Sequence, residues 1–120
     1  MRKPAPRRRR GPIENALRRA RARVAAGWCQ RAYARNASGR KCVMSSPAAA
    51  RFCLVGAYLV RHGTRTENGK ISRLLHRALP GSRPNHYKDP VVWNDTRGRR
   101  KAEVLRVYDR AIKLAAEARA

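Results

Sequence analysis

The chain has 120 residues, and 30 Lys and Arg against 7 Asp and Glu give it a formal net charge of +23. That length suits one domain, and with 42% hydrophobic residues a small core is available, which excludes wholesale disorder. The longest apolar run, Phe52 to Val60, is far shorter than the ~20 residues a membrane helix needs, so no membrane partner is expected.

Residues 1–11 carry Arg2, Lys3, Arg7, Arg8, Arg9 and Arg10 with Pro4 and Pro6, a composition that cannot bury apolar surface and predicts a disordered basic arm. A single helical domain is expected over 12–118. Gly11-Pro12 opens its first helix, with Pro12 at the first helical position and Glu14 facing the positive end of the helix dipole. Ile13, Leu17, Ala20, Val24 and Trp28 recur on one helical face, leaving Arg18, Arg19, Arg21 and Arg23 mostly off it as a basic ridge. Tyr33 extends this helix and Asn36 to Gly39 ends it.

Ser46-Pro47 reads as an N-cap followed by a first-turn proline, which predicts a second, largely buried helix from about Pro47 to His62. Gly56 inside it costs about 1 kcal/mol relative to alanine and suggests the close approach of a neighbour such as an indole. Gly63 to Gly69 reads as a polar loop. Ile71, Leu74, Leu75, Ala78 and Leu79 predict a shorter amphipathic helix stopped by Pro80-Gly81, and Ser82 to Pro90 reads as irregular. Val91, Val92 and Trp93 form a brief β-prone run that pairs, in this reading, with Cys42 to Met44. The last helix spans about Arg99 to Ala118, with Val104, Leu105, Tyr108, Ile112 and Ala115 inward and Arg106, Arg110 and Lys113 outward. The expected fold is therefore mostly α, with about four helices and a short two-strand β pairing.

Trp93-Asn94-Asp95, followed by Gly98-Arg99 and the runs Ala102 to Leu105 and Asp109 to Ile112, resembles a family of short uncharacterised bacterial and phage proteins with a Trp-Asn-Asp turn before a C-terminal helix. Leu17 to Arg21, Gly27 to Gln30, and Ala49 to Leu54 with Gly56-Ala57 match in kind, so the resemblance covers most of residues 16 to 116. It implies a single domain and supplies no activity. Two features depart from it. The long Arg arm is not typical, and Arg100 stands where similar proteins often carry a threonine that would cap the helix together with Glu103. Losing that capping box costs about 1 kcal/mol.

Candidate chemistry is sparse. Asn94 and Asp95 are the most suggestive pair, with His86 and Asp89 in the preceding loop as candidates to converge on them, against the alternative that Asn and Asp simply bond their own turn backbone while Trp93 anchors the core. Cys29, Cys42 and Cys53 have no CxxC spacing, so no metal is expected, and Cys29 and Cys53 read as small apolar residues within helices. No GxSxG, HExxH, P-loop or GxGxxG occurs, and seven acids are few for carboxylate or two-metal catalysis. Glu103 and Asp109 read as helix-supporting, Asp109 through Lys113 one turn on. No cofactor and no enzymatic activity are expected.

Arginine outnumbers lysine four to one beside 20 alanines, a bias that a GC-rich genome also produces, but that bias does not explain the shortage of acids. The leading expectation is non-specific nucleic-acid binding, to DNA or RNA, through phosphate contacts. Arg7, Arg8, Arg9 and Arg10 would be mobile contacts, Arg18, Arg19 and Arg23 a ridge, and Arg97, Arg99, Arg100 and Lys101 a second patch where the last helix begins. The alternatives are a phage or mobile-element accessory module whose basic surface docks on an acidic or nucleic-acid-binding protein partner, and an enzyme centred on Asn94 and Asp95. An Arg-rich, acid-poor leader also matches a mitochondrial transit peptide, whereas no apolar segment follows Arg7 to Arg10 as a secretory or twin-arginine signal requires. The expected location is cytoplasmic.

Overall fold

A computed structural model describes residues 9–60 and 64–120 of the chain. Among these residues there are five helices and one two-stranded sheet: α1 (Pro12–Ala26), β1 (Ala34–Asn36), β2 (Ala49–Phe52), α2 (Leu54–Leu59), α3 (Arg65–Ala78), α4 (Pro90–Asp95) and α5 (Lys101–Glu117). The mostly helical expectation holds, with five helices where about four were expected. No helix is long and apolar enough to cross a membrane.

α1 and α5 form the central antiparallel pair. The backbone N–H of Glu14 donates to the carbonyl of Ala120 at 3.1 Å, while at the opposite end Lys101 Nζ donates to the Ala25 carbonyl at 2.7 Å. Leu17, Ala20 and Val24 of α1 meet Val104, Val107, Tyr108, Ala111 and Ala115 of α5, all fully buried. Each Leu or Val burial of this kind stabilises by about 1.5–3 kcal/mol. Ile71, Leu75 and Ala78 of α3 and Leu54 and Ala57 of α2 close the same core. The Tyr108 hydroxyl, deep in this core, donates to the Leu54 carbonyl and ties α5 to the start of α2. Glu14, expected only to favour the helix dipole, is itself fully buried, and Arg18 Nε lies 2.9 Å and Arg10 Nε 3.6 Å from its Oε2.

Several sequence expectations need correction. α1 stops at Ala26, and Trp28 lies beyond it on an extended segment bridged to Phe52. Gly27 allows this because the Ala50 carbonyl oxygen would sit 2.2 Å from any Cβ placed there. Ser46-Pro47 starts a turn instead of a helix: Ser46 Oγ accepts from the N–H of Ala48 at 3.1 Å, and the chain then extends through β2. The helix that follows is short, because Cys53 caps it, its Sγ accepting from the N–H of Gly56 at 3.2 Å. The neighbour that requires Gly56 is backbone and not an indole, since the Tyr33 carbonyl oxygen would lie 2.0 Å from a Cβ at that position. The predicted end of this helix at His62 lies outside the described residues.

The polar stretch before Ile71 is helical from Arg65, because Thr64 Oγ1 accepts from the N–H of Glu67 at 3.1 Å and caps α3. Val91 to Trp93 do not form a strand. Asp89 Oδ1 accepts from the N–H groups of Val91 (2.8 Å) and Val92 (3.2 Å), and with Pro90 at the first position these caps override the β preference of the two valines. The two-strand pairing exists elsewhere, antiparallel between β1 and β2, with Ala34 opposite Phe52 and Arg35 opposite Arg51.

Candidate functional site

Two segments distant in the chain, Trp28 to Gln30 and the start of α2 at Leu54, converge on Asn94 of α4. Its Oδ1 accepts from Trp28 Nε1 at 2.8 Å and from the backbone N–H of Leu54 at 3.0 Å. Its Nδ2 donates to the Cys29 carbonyl at 3.2 Å and to Asp95 Oδ1 at 3.0 Å. Both lone-pair positions and both amide hydrogens are thus occupied, and Asn94 is fully buried. Gln30 Nε2 completes the joint by donating to the carbonyls of Asn94 and Thr96, each at 3.0 Å. Trp93, Asn94 and Asp95 are the last turn of α4 and not a turn before α5. Trp93 is buried, and the Arg99 guanidinium stacks over its ring at 3.8 Å.

Asn94 therefore joins segments and reaches no solvent, whereas Asp95 is placed differently. Its Oδ1 accepts from Asn94 Nδ2 and from the backbone N–H of Arg31 at 2.9 Å. Arg31 is held at φ 61°, in the left-handed region that a residue with a side chain occupies only when its surroundings enforce it. Asp95 Oδ2 accepts no hydrogen bond among the described residues, and since no buried side-chain polar atom there lacks a partner, this oxygen is open to solvent. His86 and Asp89 do not converge on it. His86 pairs by its backbone with Arg83, and Asp89 caps α4.

Asp95 lines a cleft of about 600 Å³, together with Arg31, Ala32, Tyr33, Ala34, Lys41, Cys42, Cys53 and Val91. Its wall is largely apolar, with Arg31 and Lys41 as exposed cations at the rim. Of the large apolar side chains left exposed, Tyr33 (50%) lines this cleft, and Val43 (71%) and Val92 (67%) each follow a lining residue. The thiols are not poised for nucleophilic work, because burial pushes Cys29 up to about 11 and raises Cys53 as well. No group of His, Cys, Asp or Glu among the described residues is arranged to hold a metal ion.

The expected basic residues are dispersed. Arg7 and Arg8 lie outside the described residues. Arg9 is exposed, and Arg10 reaches toward Glu14. Arg18 and Arg19 leave α1 on different sides, Arg18 beside Arg21, Asp109 and Ile112, and Arg19 beside Glu67 and Asn68 of α3. Arg23 turns inward, its Nη1 donating to the Ala57 carbonyl at 2.8 Å. The expected ridge of Arg18, Arg19 and Arg23 is thus not one ridge. In the second patch Arg99 is tied down, Nε to the Trp93 carbonyl and Nη1 to Glu103 Oε2, both at 2.9 Å. Arg97 and Arg100 stay exposed, and Lys101 is exposed while holding Ala25. Asp109, expected to pair with Lys113, instead takes Arg21 Nε at 2.6 Å.

A row of cations that the sequence reading missed crosses the small sheet. Lys41 stands opposite Arg35, which stands opposite Arg51. Directly paired residues share a face, so the three cationic side chains leave the sheet on the same side. Arg35 bends away, Nη1 donating to the Gly39 carbonyl at 2.9 Å and Nη2 to the Gln30 carbonyl at 3.1 Å, while Lys41 and Arg51 remain exposed.

These features define a small helical domain with a cationic surface and one amphipathic cleft beside a buried amide joint. The chain belongs to a family of unknown function (DUF6197), whose model matches residues 8–114. Neither the curated proteins nor the solved structures include a match to it.

Proposed function

We propose that this protein binds nucleic acid through phosphate contacts, with little selection among sequences. The observation that supports this reading is where the acids go. Of the seven Asp and Glu residues, Glu14, Glu103 and Asp109 pair with Arg18, Arg99 and Arg21, while Asp89 and Asp95 accept backbone N–H groups. Intramolecular contacts thus occupy most of the negative charge. Arg9, Arg19, Arg40, Lys41, Arg51, Arg97 and Lys113 are left exposed with no acid bonded to them among the described residues. A surface with so large an excess of one sign attracts a polyanion and gains free energy from released counterions. The dispersal of these cations over several elements suits contacts to phosphates, which carry no sequence, better than a reading head for bases.

The test is fluorescence anisotropy of labelled random duplex DNA and RNA titrated with the protein between about 50 and 200 mM salt. A linear fall of log affinity with log salt is the expected result. Replacing Arg7 to Arg10 with alanine should weaken binding equally for all sequences and flatten the slope by up to about 4 units. Weak, salt-insensitive binding would overturn the proposal. A single saturable complex with an acidic protein would then favour the interaction-module reading.

A further inference from the structure

The cleft beside Asp95 has a construction that non-specific phosphate binding does not use. Its inner wall is formed by small apolar groups from four separate segments: Ala32 and Ala34, Cys42, Cys53, and Val91. At about 600 Å³ it is within the ordinary size range of ligand sites. One aromatic ring, Tyr33, stands half exposed at its edge. One carboxylate oxygen, Asp95 Oδ2, accepts no hydrogen bond among the described residues, and the carboxylate is fixed in orientation by two donors on Oδ1. The cations Arg31 and Lys41 stand at the rim, and Lys41 begins the row that continues across Arg35 to Arg51.

We propose that this cleft takes one unpaired nucleobase of a single-stranded nucleic acid. The base stacks on Tyr33, an exocyclic amino group donates to Asp95 Oδ2, and the flanking phosphates lie on Arg31 and Lys41. The proposal deepens the nucleic-acid reading and rests on it. Electrostatics set the orientation: the carboxylate inside repels phosphate, and the cations at the rim attract it, so the base points in and the backbone stays out. The apolar wall suits a flat π face, and stacking on an aromatic ring tolerates any base. The carboxylate adds a preference, because cytosine and adenine offer an amino group on the edge that pairs with another strand, whereas thymine offers a carbonyl there. A base within a duplex has that edge occupied, so single strands are favoured over duplex.

The experiment compares oligo(dC), oligo(dA) and oligo(dT) of about 12 nucleotides with a blunt duplex of equal length, by anisotropy at about 100 mM salt. It uses the intact chain and two variants, Tyr33→Ala and Asp95→Asn, with folding checked by circular dichroism. Wild type should prefer oligo(dC) and oligo(dA) to oligo(dT). Tyr33→Ala should weaken every single strand about tenfold and leave the duplex unchanged. Asp95→Asn keeps an acceptor toward the two donors that hold Oδ1, so the amide nitrogen replaces Oδ2, and the preference should turn toward oligo(dT). A purely structural role for Asp95 would not reverse a base preference. Cys42 lines the cleft, so its alkylation should be slowed by oligo(dC) and not by duplex.

Steep salt-dependent binding with no difference between strand and duplex, and no effect of either variant, would overturn the base site and leave the phosphate reading standing. Strand binding that Tyr33→Ala abolishes, without any duplex binding, would support the base site and overturn only the part of the phosphate reading that extends it to duplexes. Absence of binding to every probe would overturn both.

Discussion

Asn94 makes four hydrogen bonds to four different residues, and the loss of its side chain leaves several of them without replacement. Asn94→Ala orphans the N–H of Leu54 and the indole N–H of Trp28, each at a cost of about 1–3 kcal/mol where water cannot enter. The expected loss is about 3–5 kcal/mol in urea denaturation, among the largest for any single replacement in this chain. The thiols offer a second residue-scale test. Cys42 is half-buried, while Cys29 and Cys53 are buried and raised, Cys29 to about 11. Only the thiolate reacts, so a raised value keeps both groups protonated until the pH approaches it. At pH 8 a disulfide reagent should therefore modify one thiol rapidly and the other two only after denaturation. Trp93 as a core anchor was legible in the sequence as a bulky aromatic beside a helix. The role of Asn94 was not, because three of its four partners lie 40 to 66 residues away and an amide carries no mark of what it will meet.

At the scale of elements, α1 and α5 were legible because long amphipathic periods outlast local ambiguity. The short elements were not. Ser46-Pro47 and Asp89-Pro90 present the same signal of a cap followed by a first-turn proline, yet only the second starts a helix. After Ser46-Pro47 the chain is drawn into pairing with β1, and Phe52 reaches the core. The start of α3 did carry a signal, Thr64 three residues before Glu67, which is the usual spacing of an N-terminal cap. At α5 only half of that arrangement exists. Glu103 Oε1 accepts from the N–H of Arg100 at 2.9 Å, which holds this carboxylate below its ordinary range with help from Arg99, but a guanidinium has no lone pair to return the bond. Arg100→Thr supplies the missing acceptor and should stabilise the protein by about 1 kcal/mol in thermal denaturation. Gly56→Ala tests the contact between α2 and the segment before β1. The added methyl must displace the Tyr33 carbonyl, which also accepts from the N–H of Cys53 at 3.2 Å, so about 2–3 kcal/mol of stability should be lost.

For the whole molecule, a net charge of +23 sets cations against one another in the folded state more closely than in the unfolded chain. Added salt screens that repulsion over about 10 Å at 0.1 M. The melting temperature should rise as sodium chloride increases from about 20 to 300 mM, the opposite of a protein held together by surface ion pairs. A melting temperature that falls over this range would mean that pairs such as Arg21 with Asp109 outweigh the repulsion. The walls of the cleft come from residues 31–34, 41–42, 53, 91 and 95, so no single element of the chain forms it and it vanishes when the molecule unfolds. Whatever occupies it must therefore bind the native state alone, and mass action turns occupancy into heat resistance. A ligand at a hundred times its dissociation constant adds about 2.7 kcal/mol. The melting temperature of the protein is in this way a detector for its own ligand, and a panel of nucleotides, oligonucleotides and unrelated metabolites can be ranked by it without assuming which of them belongs there.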